Sequence, residues 1–106
     1  MIQINFFYNS VGELSAFKIK GHAPEYICSA VSLFTINTVN CIEKFTTDKF
    51  ICNYDKKSGL IDFKFTDKNI SHDSKILIMA LEFGLKDVVQ KYDKFVYISE
   101  MKSWLN

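Results

Sequence analysis

Two residues in the first third of the chain have the types and spacing for nucleophilic chemistry on a carbonyl: His22 and Cys28. Cysteine attacks as its thiolate, and an ordinary thiol is mostly protonated at neutral pH. A reactive one therefore needs a base beside it or a field that favours the anion. The segment Gly21-His22-Ala23-Pro24-Glu25-Tyr26-Ile27-Cys28 can supply both. It falls where a strand-like pattern gives way to a helical one, so the imidazole stands at a strand end and the thiol in the first helical turns. The partial positive charge of a helix amino terminus favours a thiolate, as does an imidazolium nearby. Free first-turn N–H groups can receive the oxyanion of a tetrahedral intermediate.

Two neighbours extend this constellation. Ser32 follows Cys28 by one helical turn on the same face, where its hydroxyl can bond a substrate carbonyl or the surroundings of the thiol. Glu25 can accept from the imidazole or cap the first turn. Spacing alone leaves a structural reading open for each of them. Cys28 also fits as a small buried hydrophobe, Ser32 as a solvated or back-bonding helix residue, and Glu25 as an acid favoured by the helix dipole.

The elements that must hold these residues follow from the hydrophobic period. Ile2, Ile4 and Phe6 alternate with polar neighbours, Asn9-Ser10-Val11-Gly12 supplies turn chemistry, and alternation resumes from Leu14 to Lys20. The parity slips between Leu14/Ala16 and Phe17/Ile19, which predicts a hairpin with a bulge. From Pro24 to about residue 46 the apolar residues recur by threes and fours (Ile27, Ala30, Val31, Phe34, Cys41, Ile42, Phe45), with Thr38 filling the step between Phe34 and Ile42, the stripe of an amphipathic helix. Phe50, Cys52 and Tyr54, the turn Lys56-Lys57-Ser58-Gly59 and the run Leu60–Phe65 predict a second hairpin. Ser71, Asp73 or Ser74 caps a second helix whose stripe is Leu77, Ala80, Leu81, Gly84, Val88 and Tyr92. Gly84 costs about 1 kcal/mol against alanine in a helix, which points to a close approach by a neighbouring element. A strand over Phe95–Met101 closes the pattern. The order ββαββαβ is an α+β fold, with two helices on one face of a largely antiparallel sheet.

Composition narrows the function classes. The 106 residues fit a single domain, 1–106, and a 48% hydrophobic, 15% aromatic chain can fill a packed core. A net charge of +1 leaves no basic footprint for nucleic acid. Three cysteines without CxxC spacing predict reduced thiols rather than a disulfide framework or a zinc site. No apolar run approaches the roughly 20 residues that span a bilayer, and the amino terminus lacks the basic region of a signal peptide. The expectation is a cytoplasmic domain needing neither metal nor organic cofactor. His72 reads as a surface residue at the second helix start, the Met79–Tyr92 stripe as core, and Phe7, Tyr8 and Trp104 as candidates for a dimer surface.

The run Gly21-His22-Ala23, an acid at Glu25, and Cys28-Ser29-Ala30-Val31-Ser32 resembles the signature of the ribosomal-processing cysteine proteases. Leu33-Phe34-Thr35, Val39-Asn40-Cys41-Ile42-Glu43 and the second helix with Leu81, Gly84-Leu85 and Tyr92 resemble the family's continuation. The resemblance implies a homodimeric cytoplasmic endopeptidase. Its substrate would be the amino-terminal extension of a large-subunit ribosomal protein, the one reaching toward the peptidyl-transferase centre. His22 would be its base, Cys28 its nucleophile, and Gly21, Glu25 and Ser32 supporting residues. Two features depart from the family pattern: Glu25 stands where an aspartate is usual, and the loop from His22 to Cys28 is short. The competing expectation is a non-catalytic ribosome-associated binding module of the same fold. A redox-sensing thiol protein ranks behind it, because Cys28 has no evident resolving cysteine.

Overall fold

A computed structural model describes residues 1–102; Trp104 lies outside them. The elements are β1 (Ile2–Tyr8), β2 (Leu14–Gly21), α1 (Glu25–Phe45), β3 (Phe50–Asp55), β4 (Leu60–Phe65), α2 (His72–Lys91) and β5 (Val96–Lys102). The strands form one sheet in the order β3-β4-β2-β1-β5. All neighbours are antiparallel except β1 and β5, which run parallel in the register Ile2↔Val96, Ile4↔Ile98. Among the described residues no helix is long and apolar enough to cross a membrane.

Alternation places one face of every central strand in the core. Ile2, Ile4 and Phe6 of β1, Phe17 and Ile19 of β2, and Ile61, Phe63 and Phe65 of β4 are all buried. The predicted bulge sits where the register steps from Phe7↔Ala16 to Tyr8↔Leu14, leaving Ser15 as the extra residue. That step lets Leu14 enter the core although its parity is opposite to that of Phe17 and Ile19. The rings of Phe17, Phe50 and Phe65 each pack against Phe63, with centroids 4.9–5.0 Å apart.

The helices bury different lines from those expected. On α1 the core line is Ile27, Val31, Thr35, Thr38, Val39 and Ile42, whereas Ala30 and Phe45 are exposed. Two threonines can occupy this line because each hydroxyl donates to the carbonyl four residues back, Thr35 to Val31 and Thr38 to Phe34. On α2 the sheet-facing line is Ser74, Ile78, Leu81 and Leu85. The expected stripe mixed this line with a second flank of Leu77, Gly84 and Val88, all half-buried, while Ala80 and Met79 are exposed. The two helices meet at Gly84, where a β-carbon would come within 2.0 Å of the Phe34 ring.

Capping at α2 ties three elements together. Ser71 is the N-cap and accepts from the Ser74 N–H. Asp48, in the α1–β3 loop, accepts from the Ser71 N–H at 3.2 Å and from the hydroxyls of Ser71 and Ser74. Burial opposes the charge on Asp48, but the Ser71 and Ser74 hydrogen bonds outweigh it and hold its carboxyl below the usual aspartate value.

Two stability predictions follow from these contacts. Gly84→Ala lowers stability by about 1 kcal/mol in the native background, because the Phe34 ring must move. In a Phe34→Ala background the same change is stabilising by up to about 1 kcal/mol, as helix propensity then dominates; urea titration of the double-mutant cycle reads the sign reversal. For Asp48 the folded value lies below the unfolded one, so its contribution is full above the unfolded value and fades as pH falls through the folded value. Denaturant midpoints taken down the acid limb should fall less steeply for Asp48→Asn than for the native chain.

Candidate active site

The junction between β2 and α1 is built on a close crossing of two backbones. Gly21 has φ +103°, and a side chain there would meet the Met1 carbonyl. Its N–H donates to the Ser58 carbonyl of the β3–β4 turn at 3.0 Å. Across the contact Gly59 has φ +67°, and a β-carbon on it would stand 2.3 Å from the Gly21 carbonyl oxygen. The chain leaves β2, passes through His22 and Ala23, and enters α1 at Pro24, the N-cap. Proline suits that entry, since it has no N–H to leave unpaired.

This route brings the sequence-selected residues to one cavity of about 360 Å³. Gly21, His22, Cys28 and Ser32 line one side of it. Ile2, Ile19, Val31 and Ile36 form an apolar floor, and Tyr54, Asp55, Lys56, Gly59 and Leu60 close the other side. Cys28 is half-buried and packs against the core, while His22 is exposed.

The hydrogen bonds give the two reactive groups separate partners. The Cys28 Sγ lies 3.2 Å from both the N–H and the carbonyl of Ala23. The thiol donates to the carbonyl and its sulfur accepts from the N–H, so the two peptide groups flanking the Ala23 α-carbon hold the protonated side chain. The N–H bond persists on ionisation, whereas the carbonyl then repels the sulfur. His22 Nε2 lies 2.7 Å from the Lys57 carbonyl oxygen. A carbonyl can only accept, so Nε2 carries the hydrogen and the neutral ring presents Nδ1 with a free lone pair. Among the described residues no hydrogen bond joins His22 to Cys28.

Of the places open to Glu25, the structure shows the first-turn acid. It is exposed in the first turn of α1, and no hydrogen bond links it to His22 or caps the helix. The first-turn donors are also partly committed: the N–H groups of Ile27 and Cys28 both donate to the Pro24 carbonyl. Those of Glu25 and Tyr26 have no such bond among the described residues.

The β3–β4 turn is the part of the cavity that sequence reasoning missed. Lys56-Lys57 reads as an ordinary turn, and nothing local signals that the Lys57 carbonyl meets an imidazole 35 residues away in sequence. The only hint was Gly59, and a turn glycine carries no information about distant partners. Tyr54 stays protonated on the cavity wall: burial first, then its bond to Cys52 and the charges of Cys52 and Glu43, push its hydroxyl up to about 12.

A half-buried cysteine and a histidine in one groove of a five-stranded α+β sandwich suit a thiol-dependent hydrolase. The sequence profile of the family described as cysteine protease Prp matches residues 1–97. The chain therefore belongs to the cysteine protease Prp family. Its fold is similar to that of the Staphylococcus aureus ribosomal processing protease Prp bound to a covalently linked product peptide. That pair aligns with a TM-score of 0.87 and 21% identity, over 94% of this chain and 99% of the other. The same protease with a substrate peptide gives 0.84 and 20%, over 94% and 99%. A Streptococcus mutans protein gives 0.83 and 22%, over 97% of this chain and 96% of its own. None of the curated proteins matches the chain at the level of sequence.

Gly59→Ala tests the crossing that builds the site. The forced left-handed conformation and the Gly21 clash should together cost about 1–3 kcal/mol. A melting curve several degrees below that of the native chain is the expected readout.

Proposed function

We propose that this cysteine protease is an endopeptidase in which Cys28 is the nucleophile and His22 the base. Its substrate on this reading is the amino-terminal extension of a large-subunit ribosomal protein. The observation that carries the reading is the shared cavity, with the His22 ring bonded through Nε2 and the Cys28 sulfur held at its edge. The staphylococcal relative of the same fold has been seen with a covalently linked product peptide and with a substrate peptide, which supports a covalent route. A ribosomal-protein substrate also agrees with a cytoplasmic setting.

The reaction begins when Sγ leaves the Ala23 carbonyl and passes its proton to His22 Nδ1. The thiolate attacks the scissile carbonyl carbon, and the carbonyl π pair moves onto oxygen. The Ala23 N–H, 3.2 Å from the sulfur, and the free first-turn N–H groups can receive that oxyanion. The Ser32 hydroxyl, on the cavity wall, can add a further bond to substrate. As the carbon–nitrogen bond breaks, Nδ1–H protonates the leaving amine and a thioester remains on Cys28. Water then gives a proton to Nδ1 and its oxygen attacks the thioester. The sulfur leaves as thiolate, and the imidazolium returns its proton. Glu25 sits outside these steps and acts through its charge at the first turn of α1.

The same reading expects a second copy of the chain as partner. Leu33 and Phe83, 74% and 79% exposed on the outer side of the helical layer, give such a copy apolar surface to cover.

Cleavage of a peptide spanning the junction between extension and mature ribosomal protein tests the assignment. Cys28→Ala should show no turnover, and His22→Ala should lose about 10²–10⁴-fold in kcat, the usual worth of a positioned base. Ser32→Ala should lose about tenfold, corresponding to one hydrogen bond of roughly 1.4 kcal/mol. Turnover by Cys28→Ala would overturn the mechanism, and a fold that binds the peptide without cutting it would favour a binding module.

A further inference from the structure

The base needs a third group to fix its tautomer and aim, and no acidic side chain fills that place beside His22. The group that touches the ring is a main-chain carbonyl, that of Lys57. A backbone acceptor points where its turn points, so the question becomes what holds the β3–β4 turn. Asp55, the last residue of β3, accepts from the Lys57 N–H at 3.1 Å through Oδ1. It accepts from the Ser58 hydroxyl at 3.0 Å through Oδ2. The Ser58 carbonyl in turn accepts from the Gly21 N–H at 3.0 Å. One carboxylate thus grips the two residues whose carbonyls engage the strand end that carries the base.

We propose that Asp55 is a positioning residue for His22: its carboxylate sets the β3–β4 turn so that the Lys57 carbonyl holds Nε2–H and leaves Nδ1 as the proton acceptor. The arrangement does the work of the third member of a nucleophile–base–orienter relay, with the acid acting through a main-chain amide rather than on the ring. Asp55 and Lys56 of this turn line the same cavity as the ring. Among the described residues, only the turn contributes a hydrogen bond to the imidazole.

The inference rests on His22 being the base, and its test separates the two. Asp55→Ala and Asp55→Asn remove the same charge, but asparagine keeps Oδ1 for the Lys57 N–H and can donate to the Ser58 hydroxyl oxygen. Nitrogen-15 NMR of His22 in the full chain reads the neutral tautomer directly, and peptide cleavage reads kcat and KM. Native protein and Asp55→Asn should show Nε2–H as the dominant tautomer. Asp55→Ala should show a mixture, with kcat about tenfold to a hundredfold lower, as for a misplaced catalytic group, and KM within about twofold. An unchanged tautomer with native kcat in Asp55→Ala overturns the proposal. So does Asp55→Asn failing as badly as Asp55→Ala, since charge rather than the turn would then be the cause. If Asp55→Ala melts below the assay temperature, Ser58→Ala removes one of the two bonds; a partly mixed tautomer then supports the proposal and a native spectrum overturns it. Native turnover by His22→Ala would sink the base assignment itself. An inactive His22→Ala beside a fully active Asp55→Ala removes only the present inference.

Discussion

The contact between the end of β2 and the β3–β4 turn governs the site. A side chain on Gly59 would strike the Gly21 carbonyl, and one on Gly21 the Met1 carbonyl, while the Gly21 N–H and the His22 ring each donate to a carbonyl of the turn. The sheet brings the turn there. Pairing of β2 with β4 over Ala16–Ile19 and Ile61–Lys64 fixes where the second hairpin folds back. The base is therefore placed by a long-range pairing, while the nucleophile is placed by the local start of α1. Correct strand register is the condition under which the two meet in one cavity.

This division explains the resting arrangement of the pair. Cys28 is held by its own neighbouring peptide at Ala23, and His22 by Lys57 across the cavity. Each is satisfied without the other. Catalytic hydrogen bonds in unliganded sites often tighten only when substrate is bound. The movement required of the thiol is small, since only its bond to the Ala23 carbonyl must be given up.

Much of this was legible in sequence because it is local. Alternation marked both hairpins, and the parity slip between Leu14/Ala16 and Phe17/Ile19 marked a bulge, which the register puts at Ser15. Ser71, Asp73 and Ser74 before a helical run marked the α2 start, where Ser71 is the cap, and Gly84 marked a close approach, which Phe34 makes. Proximity of His22 and Cys28 followed from a strand running directly into a helix. What sequence did not disclose depends on partners distant along the chain. The faces of α1 and α2 divide between sheet and helix contacts, which one period cannot separate, and so Ala30, Phe45 and Ala80 were wrongly placed inside. The parallel pairing of β5 with β1 and the role of the β3–β4 turn have no local signature. Spacing left Glu25 open between the imidazole, the helix cap and a first-turn acid, and it stands exposed in the first turn of α1.

The three cysteines supply an internal control for the central claim, that the cavity makes Cys28 reactive. All three are half-buried, so exposure alone does not favour any of them. Burial, together with the charge of Asp62, keeps the Cys52 thiol above its ordinary value despite its bond to Tyr54, and it should be slow. The decisive measurement is peptide mapping by mass spectrometry after labelling the folded full chain at pH 6 with less than one equivalent of iodoacetamide. The account predicts that the label collects on Cys28 and that His22→Ala removes this preference. Label spread evenly over Cys28, Cys41 and Cys52 would contradict it.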